Sequence, residues 1–131
     1  MRKEDKKLLL QDLCGRLPYR TKIQGYNSSR METVTGRMSQ IDIDSELVEI
    51  HEPECEKFRW AAVSTWAELD SIKPYLRPME SITEKEREEE ANTVMMYLGD
   101  FFNSRYLDYH NLIKKGLALA APEGMYDLSE L

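Results

Sequence analysis

The chain changes from strand-like to helix-like sequence across one stretch, Ser71-Ile72-Lys73-Pro74-Tyr75-Leu76-Arg77-Pro78-Met79-Glu80-Ser81-Ile82-Thr83. Short runs rich in Thr, Val and Ile come before it, and runs with helical spacing come after it. Each proline fixes its own φ and pushes the residue before it toward extended geometry. The sequence therefore predicts a stiff, non-helical connector over residues 73–80.

We expect this connector to act as a clamp within one domain. Neither half of the chain alone has two layers of secondary structure to bury against each other, so both halves must share a core. Tyr75, Leu76 and Met79 would then face that core. Arg77 would lie along the acidic side of the domain and pair with a glutamate of residues 84–90.

Length and composition indicate the class of protein. A chain with 32% charged residues and a mean hydropathy of −0.60 is typical of one soluble globular domain, here residues 1–131. Its two cysteines, Cys14 and Cys55, have no partner at metal-ligand spacing, which favours a reduced, cytoplasmic protein. The apolar run Leu8-Leu9-Leu10 is too short for a signal peptide, and we expect no membrane contact.

A helix over residues 3–16 and a β-rich region over residues 20–72 are predicted before the connector. Leucines at helical spacing mark the helix, and Cys14 beside them is interpreted as a small core residue. Turn residues roughly every ten positions divide the β-rich region into an antiparallel meander, with expected strands at 20–24, 31–35, 38–43 and 47–51. Residues 58–66 fit a strand through Val63, but they also fit a helical face.

Helical sequence is predicted over residues 83–116. Thr83 and Glu86 have the spacing of a capping box, with Ser81 and Glu84 as the alternative pair. The apolar residues behind them predict a long helix with a buried rear face, formed by Ala91, Val94, Met95, Leu98, Phe101 and Phe102. A last short helix is expected over 109–115. The tail over 117–131 would be extended, and residues 117–121 could add a strand to a sheet edge.

These elements define an α+β fold class. The expected arrangement is an N-terminal helix, a small antiparallel β-sheet or SH3-like partial barrel, and a C-terminal helical pair. An exposed sheet edge, or the strand at 117–121, would suit homodimerisation.

Charge is unevenly distributed along the chain. Residues 1–40 carry a net charge of +5 and residues 41–131 carry −11. Most of the surface would repel a polyanion, which disfavours nucleic acid as a partner but leaves the basic front end as a candidate. That candidate partner surface consists of Arg16, Tyr19, Arg20, Lys22, Tyr26, Arg30 and Arg37. A candidate acidic docking face for a basic protein partner consists of Glu84, Glu86, Glu88, Glu89 and Glu90.

Catalytic and metal chemistry have little support in the sequence. The run His51-Glu52-Pro53-Glu54-Cys55 gathers metal-ligating side chains, but a zinc site needs three or four converging ligands, and this run would have to fold back around a proline. We interpret it as an acidic surface loop. The sequence holds no nucleophile elbow, P-loop, dinucleotide fingerprint or zinc-protease motif. We therefore predict no catalytic residue, no metal and no cofactor.

Methionine is a second compositional feature that bears on function. The chain contains seven methionines, which is many for its length. Methionine fills irregular gaps in cores, and it also lines adaptable interfaces. Core filling is the more frequent use, so an interface is the less favoured interpretation at this point.

Three blocks stand out by their order and spacing: Leu8-Leu9-Leu10-Gln11-Asp12-Leu13-Cys14-Gly15-Arg16-Leu17-Pro18-Tyr19, Ile72-Lys73-Pro74-Tyr75-Leu76-Arg77-Pro78-Met79 and Leu112-Ile113-Lys114-Lys115-Gly116-Leu117-Ala118-Leu119. They resemble a family of short uncharacterised proteins of anaerobic gut bacteria and their phages and mobile elements. The resemblance implies a setting and brings no known activity, fold or catalytic residue with it.

The sequence as a whole predicts a non-enzymatic, cytoplasmic interaction or adaptor protein, in a setting of phages or mobile elements. Its partner would be another protein. The alternative is a small nucleic-acid-binding module that uses the basic first third of the chain. A continuous basic patch on residues 1–40 would favour nucleic acid, and a scattered arrangement would favour protein contact.

Overall fold

The computed structural model describes residues 1–52 and 63–128 and has an α+β architecture. Its α-helices are α1 (Lys3–Arg16), α2 (Glu84–Ala91) and α3 (Leu98–Ser104). Its strands are β1 (Lys22–Asn27), β2 (Glu32–Asp42), β3 (Leu47–Glu52), β4 (Val63–Glu68), β5 (Lys73–Leu76) and β6 (Leu119–Ala120). The predicted α+β class, with an N-terminal helix and a small, mostly antiparallel sheet, is confirmed. The C-terminal half also holds two helices, α2 and α3, but their bounds differ from those predicted.

The described strands form a six-stranded sheet in the order β4-β3-β2-β1-β5-β6. Strands β1 to β4 are an antiparallel meander. A short 3-10 helix over Leu69–Ser71 then turns the chain into β5, which pairs antiparallel with β1. Strands β1 and β4, which are not neighbours in the sheet, also approach each other, since the side-chain amide of Asn27 in β1 donates to the carbonyl of Trp66 in β4 at 3.3 Å. Of the ambiguous segment 58–66, residues 58–62 lie outside the described residues, and the remainder is strand β4.

Strand β2 is longer than predicted, since the two strands expected at 31–35 and 38–43 are one. Gly36 does not end a strand; it pairs with Ile23 of β1 inside the sheet. A Cβ on Gly36 would lie 2.2 Å from the carbonyl oxygen of His51. Glycine is thus required here for the close approach of β3, whereas in the sequence alone it resembles a turn signal.

The proline connector belongs to the sheet. Its first half is β5, in which Pro74 pairs with Ile23 of β1, and Leu76 is fully buried. Tyr75 and Met79 are partly buried, and Met79 starts a 3-10 helix, so the connector is not wholly non-helical. Because β5 completes the sheet against β1, the connector is a structural part of the fold and not a link between two halves.

Helix α1 packs its leucine face into the hydrophobic core, where Leu9 and Leu13 are fully buried. The sheet and the segment around residues 112–118 supply the other core side chains, among them Ile23, Met38, Val48, Ile50, Ile72, Leu76, Leu112 and Leu117. Cys14 is exposed, so its interpretation as a core residue is wrong. It lies about 100° around the helix from Leu13 and therefore leaves the buried face.

Helix α2 begins as predicted but ends early. Thr83 and Glu86 form the capping box in both directions. The long helix expected beyond it is wrong, since α2 ends at Ala91 and α3 starts only at Leu98. The Thr93 hydroxyl donates to the carbonyl of Glu89 at 2.6 Å, and Val94 is extended. Side chains such as Asn92, Thr93 and Val94 have low helix propensity, and a hydroxyl that bonds the backbone competes with helix continuation.

The predicted helix over 109–115 is also wrong, so the helical part of 83–116 ends at Ser104. The Asp108 carboxylate accepts from the backbone N–H groups of Leu112 and Ile113, at 2.8 and 3.0 Å. Asn111 has a positive φ of 61°, which interrupts helical geometry. The chain continues in turns to β6, which pairs parallel with β5 and forms an edge of the sheet.

Gly36→Ala tests the close packing of β2 on β3. The added methyl group meets the backbone of His51 and should cost about 1–3 kcal/mol of unfolding free energy. Gly99→Ala is the matched control, because its Cβ would make only an ordinary 3.6 Å contact with the Tyr109 hydroxyl and alanine favours the helix. Urea denaturation measures both variants. Equal midpoints for Gly36→Ala and the wild type would contradict this packing.

Candidate functional site

A buried ion pair fixes α2 to the connector. The Arg77 guanidinium donates to both carboxylate oxygens of Glu86, at 2.8 and 2.7 Å. It also donates to the carbonyls of Arg105 and Ser81, at 3.0 and 3.1 Å. Arg77 is 7% exposed and Glu86 is 6% exposed. The expected pairing of Arg77 with a glutamate of residues 84–90 is therefore present.

Glu86 has a structural role and does not belong to a docking face. Burial alone would raise the pKa of the Glu86 carboxyl, but the hydrogen bonds from Arg77 and Thr83 lower it overall. The same carboxylate accepts from the Thr83 backbone N–H at 3.0 Å, so it serves the capping box and the ion pair together. Its inclusion in the predicted acidic docking face is wrong, because a partner cannot reach it.

A second buried ion pair lies in α1 and was not predicted. Arg16 donates to Asp12 at 2.8 and 3.1 Å, and neither side chain has any exposure. Arg16 also donates to the carbonyl of Leu107 at 2.7 Å, which fastens the segment after α3 to the helix. Arg16 is thus wrongly assigned to the partner surface. The spacing of four residues between Asp12 and Arg16 was the available local signal.

His110 joins this second pair. Its Nδ1 atom lies 2.7 Å from Oδ1 of Asp12, and its ring is 4.1 Å from that of Tyr109. A histidine held by a carboxylate in this way can act as a base when a nucleophile lies at its other nitrogen. Cys14 is the thiol of α1, the helix that carries Asp12. It follows Asp12 by two residues and therefore lies about 200° around the helix axis, on the side away from His110. The contacts of Arg16 with Leu107 and of Asp12 with His110 join α1 to the 107–113 segment, so the cluster is a polar anchor between them.

Three members of the predicted basic surface, Arg20, Lys22 and Arg37, lie together at one end of β1 and β2. Lys22 and Arg37 are direct partners in the sheet. Arg37 donates to the carbonyl of Arg20 at 2.9 Å, and Lys22 donates to the carbonyl of Met125 at 2.9 Å. Tyr19 nearby in sequence donates to Asp100, and this hydrogen bond raises the pKa of the Tyr19 hydroxyl to about 12. The side chains of Tyr19, Lys22 and Arg37 are thus occupied by contacts within the chain, whereas Arg20 contributes its backbone carbonyl and its side chain is exposed.

The remaining two members lie toward the other end of β1. Tyr26 is 43% exposed, and Arg30 forms ion pairs with Glu32 and Glu52. Lys22 and Tyr26 are four residues apart on one strand, which separates them by roughly 13 Å. With Arg16 buried as well, the candidate basic residues do not make one continuous patch. This scattered arrangement is the one that we expected to favour protein contact.

The other glutamates of α2 differ in exposure. Glu84 and Glu88 are exposed and Glu90 is partly exposed. Glu89 is partly buried and receives a hydrogen bond from Arg105 at 2.6 Å, which ties α2 to the end of α3. Glu84, Glu88 and Glu90 are therefore the members of the predicted acidic face that a partner could reach.

Between α2 and α3 the chain presents four consecutive apolar side chains to solvent, which we name the apolar ridge (Val94–Tyr97). Val94 is 62% exposed, Met95 84%, Met96 77% and Tyr97 59%. The ridge contains a 3-10 turn in which the Tyr97 N–H donates to the carbonyl of Val94 at 2.8 Å. Val94 and Met95 were predicted to be buried, and that prediction is wrong because α2 ends before them.

A pocket of about 380 Å³ lies between the connector and the C-terminal tail. Its apolar lining includes Pro78, Pro122 and Leu128, and Tyr126 also lines it. The Arg77 guanidinium also lines it, but Glu86 already neutralises that charge. The Tyr126 hydroxyl is likewise engaged, since it donates to the carbonyl of Tyr75 at 2.7 Å and accepts from the Lys22 N–H at 3.0 Å. Ser81 and Glu123 also line the pocket, so its wall is mixed polar and apolar.

Within residues 1–52 and 63–128, no group of three or more His, Cys, Asp or Glu side chains is placed to hold a metal ion. The suspected run at 51–55 falls partly outside this range, since residues 53–55 are not described. None of the helices in the described part of the chain combines the length and the apolar character that a membrane span needs. Comparison with family models, with curated proteins and with solved structures gives no match.

The acid sensitivity of the fold tests the Arg77–Glu86 pair. Because the folded-state pKa of Glu86 lies below its ordinary value of 4.5, its stabilising effect is complete above that pH and is lost as the pH falls through the folded-state pKa. Glu86→Gln keeps a capping side chain but loses the charge. At neutral pH it should lower the unfolding free energy by about 3–5 kcal/mol, the usual cost of breaking a buried pair.

Urea midpoints measured between about pH 6 and about pH 3 provide the comparison. The wild type should lose more stability across this range than Glu86→Gln. Glu84→Gln, in the same helical turn but exposed, is the control and should follow the wild type. Parallel curves for the wild type and Glu86→Gln would contradict the assigned pKa direction.

Proposed function

We propose that this protein is a non-enzymatic interaction or adaptor protein that binds a polypeptide partner through the apolar ridge. The observation that carries the proposal is the exposure of four consecutive large apolar side chains, 59–84% for each. Single exposed apolar residues are normal on a protein surface, but contiguous ones mark interaction sites. Aromatic and methionine side chains are also enriched where proteins meet.

The ridge has a firm support on both sides. Thr93 bonds to the carbonyl of Glu89 where α2 ends, and Arg105 joins Glu89 to the end of α3. Phe101 and Phe102 pack edge to face within α3, with ring centroids 5.7 Å apart. A surface held in place before binding loses less conformational freedom on association, which favours its use for docking. The two methionines add side chains that adapt to the shape of a partner.

The wider setting of this proposal rests on the sequence. The spacing of Cys14 and Cys55 in the sequence and the resemblance of the three blocks support a cytoplasmic protein of phage or mobile-element origin. An SH3-like partial barrel is supported by the meander β1–β4, the 3-10 turn before β5 and the return of β5 to β1. Homodimerisation through β6 has less support, because β6 is only two residues long and pairs with β5.

Peptide selection tests the docking role of the ridge. Peptides are first selected on the wild-type protein from a random display library. They should bind the double variant Met95→Ser/Met96→Ser at least about tenfold more weakly, because the variant loses two methionine side chains that a bound peptide would bury. Met31→Ser is the matched control, since Met31 is 78% exposed but lies in the turn between β1 and β2. Fluorescence anisotropy gives the Kd values.

The control should bind the selected peptides as tightly as the wild type does. Selected peptides that bind the wild type and the ridge variant equally would overturn the proposal. A gel shift at low salt tests the alternative of nucleic-acid binding, for which retardation must weaken as salt rises.

A further inference from the structure

We infer that the partner segment recognised at the apolar ridge is basic: a polypeptide that carries lysine or arginine side chains next to its apolar anchors. This inference rests on the docking role proposed above and adds the chemistry of the partner. It follows from the charges of the residues that flank the ridge in sequence, some of which are neutralised by ion pairs while others are exposed.

The sequence that flanks the ridge is acidic. Residues 80–100 contain seven acidic and two basic side chains, a net charge of −5. Arg77 and Arg105 pair with Glu86 and Glu89 and neutralise two of the acids, which leaves a net charge of −3. The exposed carboxylates of Glu84 and Glu88 are one helical turn apart and lie on the same side of α2. A partner that docks on the ridge and extends along α2 therefore meets these carboxylates next to its apolar contacts.

This charge argues against a second copy of the chain as the occupant. A two-fold symmetric contact through the ridge would bring α2 against α2, and like charges at an interface are costly. A head-to-tail contact through α1 would use Lys3 and Lys7 of that helix and Arg2 just before it, which are exposed. However, Leu9 and Leu13 of α1 are fully buried in the core and cannot serve as apolar anchors.

The same charge argues against nucleic acid and against an anionic membrane surface. Both ligands carry dense negative charge, which the carboxylates of α2 would repel. Arg105, the basic side chain nearest in sequence after the ridge, is held by Glu89 at 2.6 Å. A basic polypeptide with apolar side chains satisfies both the ridge and the charge, and its binding would weaken with salt.

A pair of model peptides tests the inference. One is an amphipathic peptide of leucine and lysine, and its twin replaces each lysine by glutamate. Fluorescence anisotropy should show that the Leu/Lys peptide binds the full chain more tightly than the Leu/Glu twin does. The triple variant Glu84→Gln/Glu88→Gln/Glu90→Gln should raise the Kd of the Leu/Lys peptide by roughly tenfold and flatten its salt dependence.

A matched control removes the same number of charges elsewhere, by Glu4→Gln/Asp44→Asn/Glu123→Gln at exposed positions. This control should leave the Kd within about twofold of the wild type if the charges near the ridge decide binding. Unfolding midpoints show whether each variant is folded before its Kd is compared. An equal effect of the two triple variants would mean that only the overall charge matters, and this would overturn the inference.

The remaining outcomes separate the inference from the proposed function. If both peptides bind equally and Met95→Ser/Met96→Ser weakens both, the ridge is a docking site but its partner is not selected by positive charge. If the Leu/Lys peptide binds and the ridge variant has no effect, the docking role of the ridge fails. No binding of the Leu/Lys peptide at the highest soluble protein concentration would overturn the inference.

Discussion

The bidentate pair of Arg77 and Glu86 is the interaction on which the rest of the architecture depends. The backbone of Arg77 also bonds on both sides, since its N–H donates to Tyr106 at 2.7 Å and its carbonyl accepts from Asp108 at 2.9 Å. One residue thus joins the connector, α2 and the segment after α3. Removal of either partner would leave an uncompensated buried charge, which costs about 3–5 kcal/mol of unfolding free energy. The apolar ridge depends on it because α2 and α3 bear the ridge between them.

Several features of the fold could be predicted from the sequence because their signals are local. The leucine spacing in α1, the capping box of Thr83 and Glu86, and the prolines at positions 74 and 78 each act over a few residues. The pairing of Arg77 with the 84–90 run was also within reach, since Glu86 is only nine residues away. The acidic face was predicted in part: Glu84, Glu88 and Glu90 can be reached by a partner, whereas Glu86 is structural.

The apolar ridge and the Asp12–Arg16–His110 cluster could not be predicted from local patterns. Apolar spacing through Val94 and Met95 imitates a buried helix face, and only the end of α2 at Ala91 places them in solvent. His110 reaches Asp12 across 98 positions of the chain, a contact that no spacing rule contains. Gly36 shows the same limit. A side chain at this position is excluded by the backbone of β3, and the residues next to Gly36 in the sequence do not reveal this.

The most direct measurement of the central claim is a nitrogen-15 NMR titration of the full chain with the Leu/Lys peptide. The account predicts that the largest amide shift changes fall on residues 93–98 and on the exposed turns of α2, and that they shrink as salt is added. The basic end of β1 and β2 and the pocket at residues 121–128 should change little. Shift changes centred on Arg20, Lys22 and Arg37, or on the pocket, would contradict the claim that the apolar ridge is the docking surface.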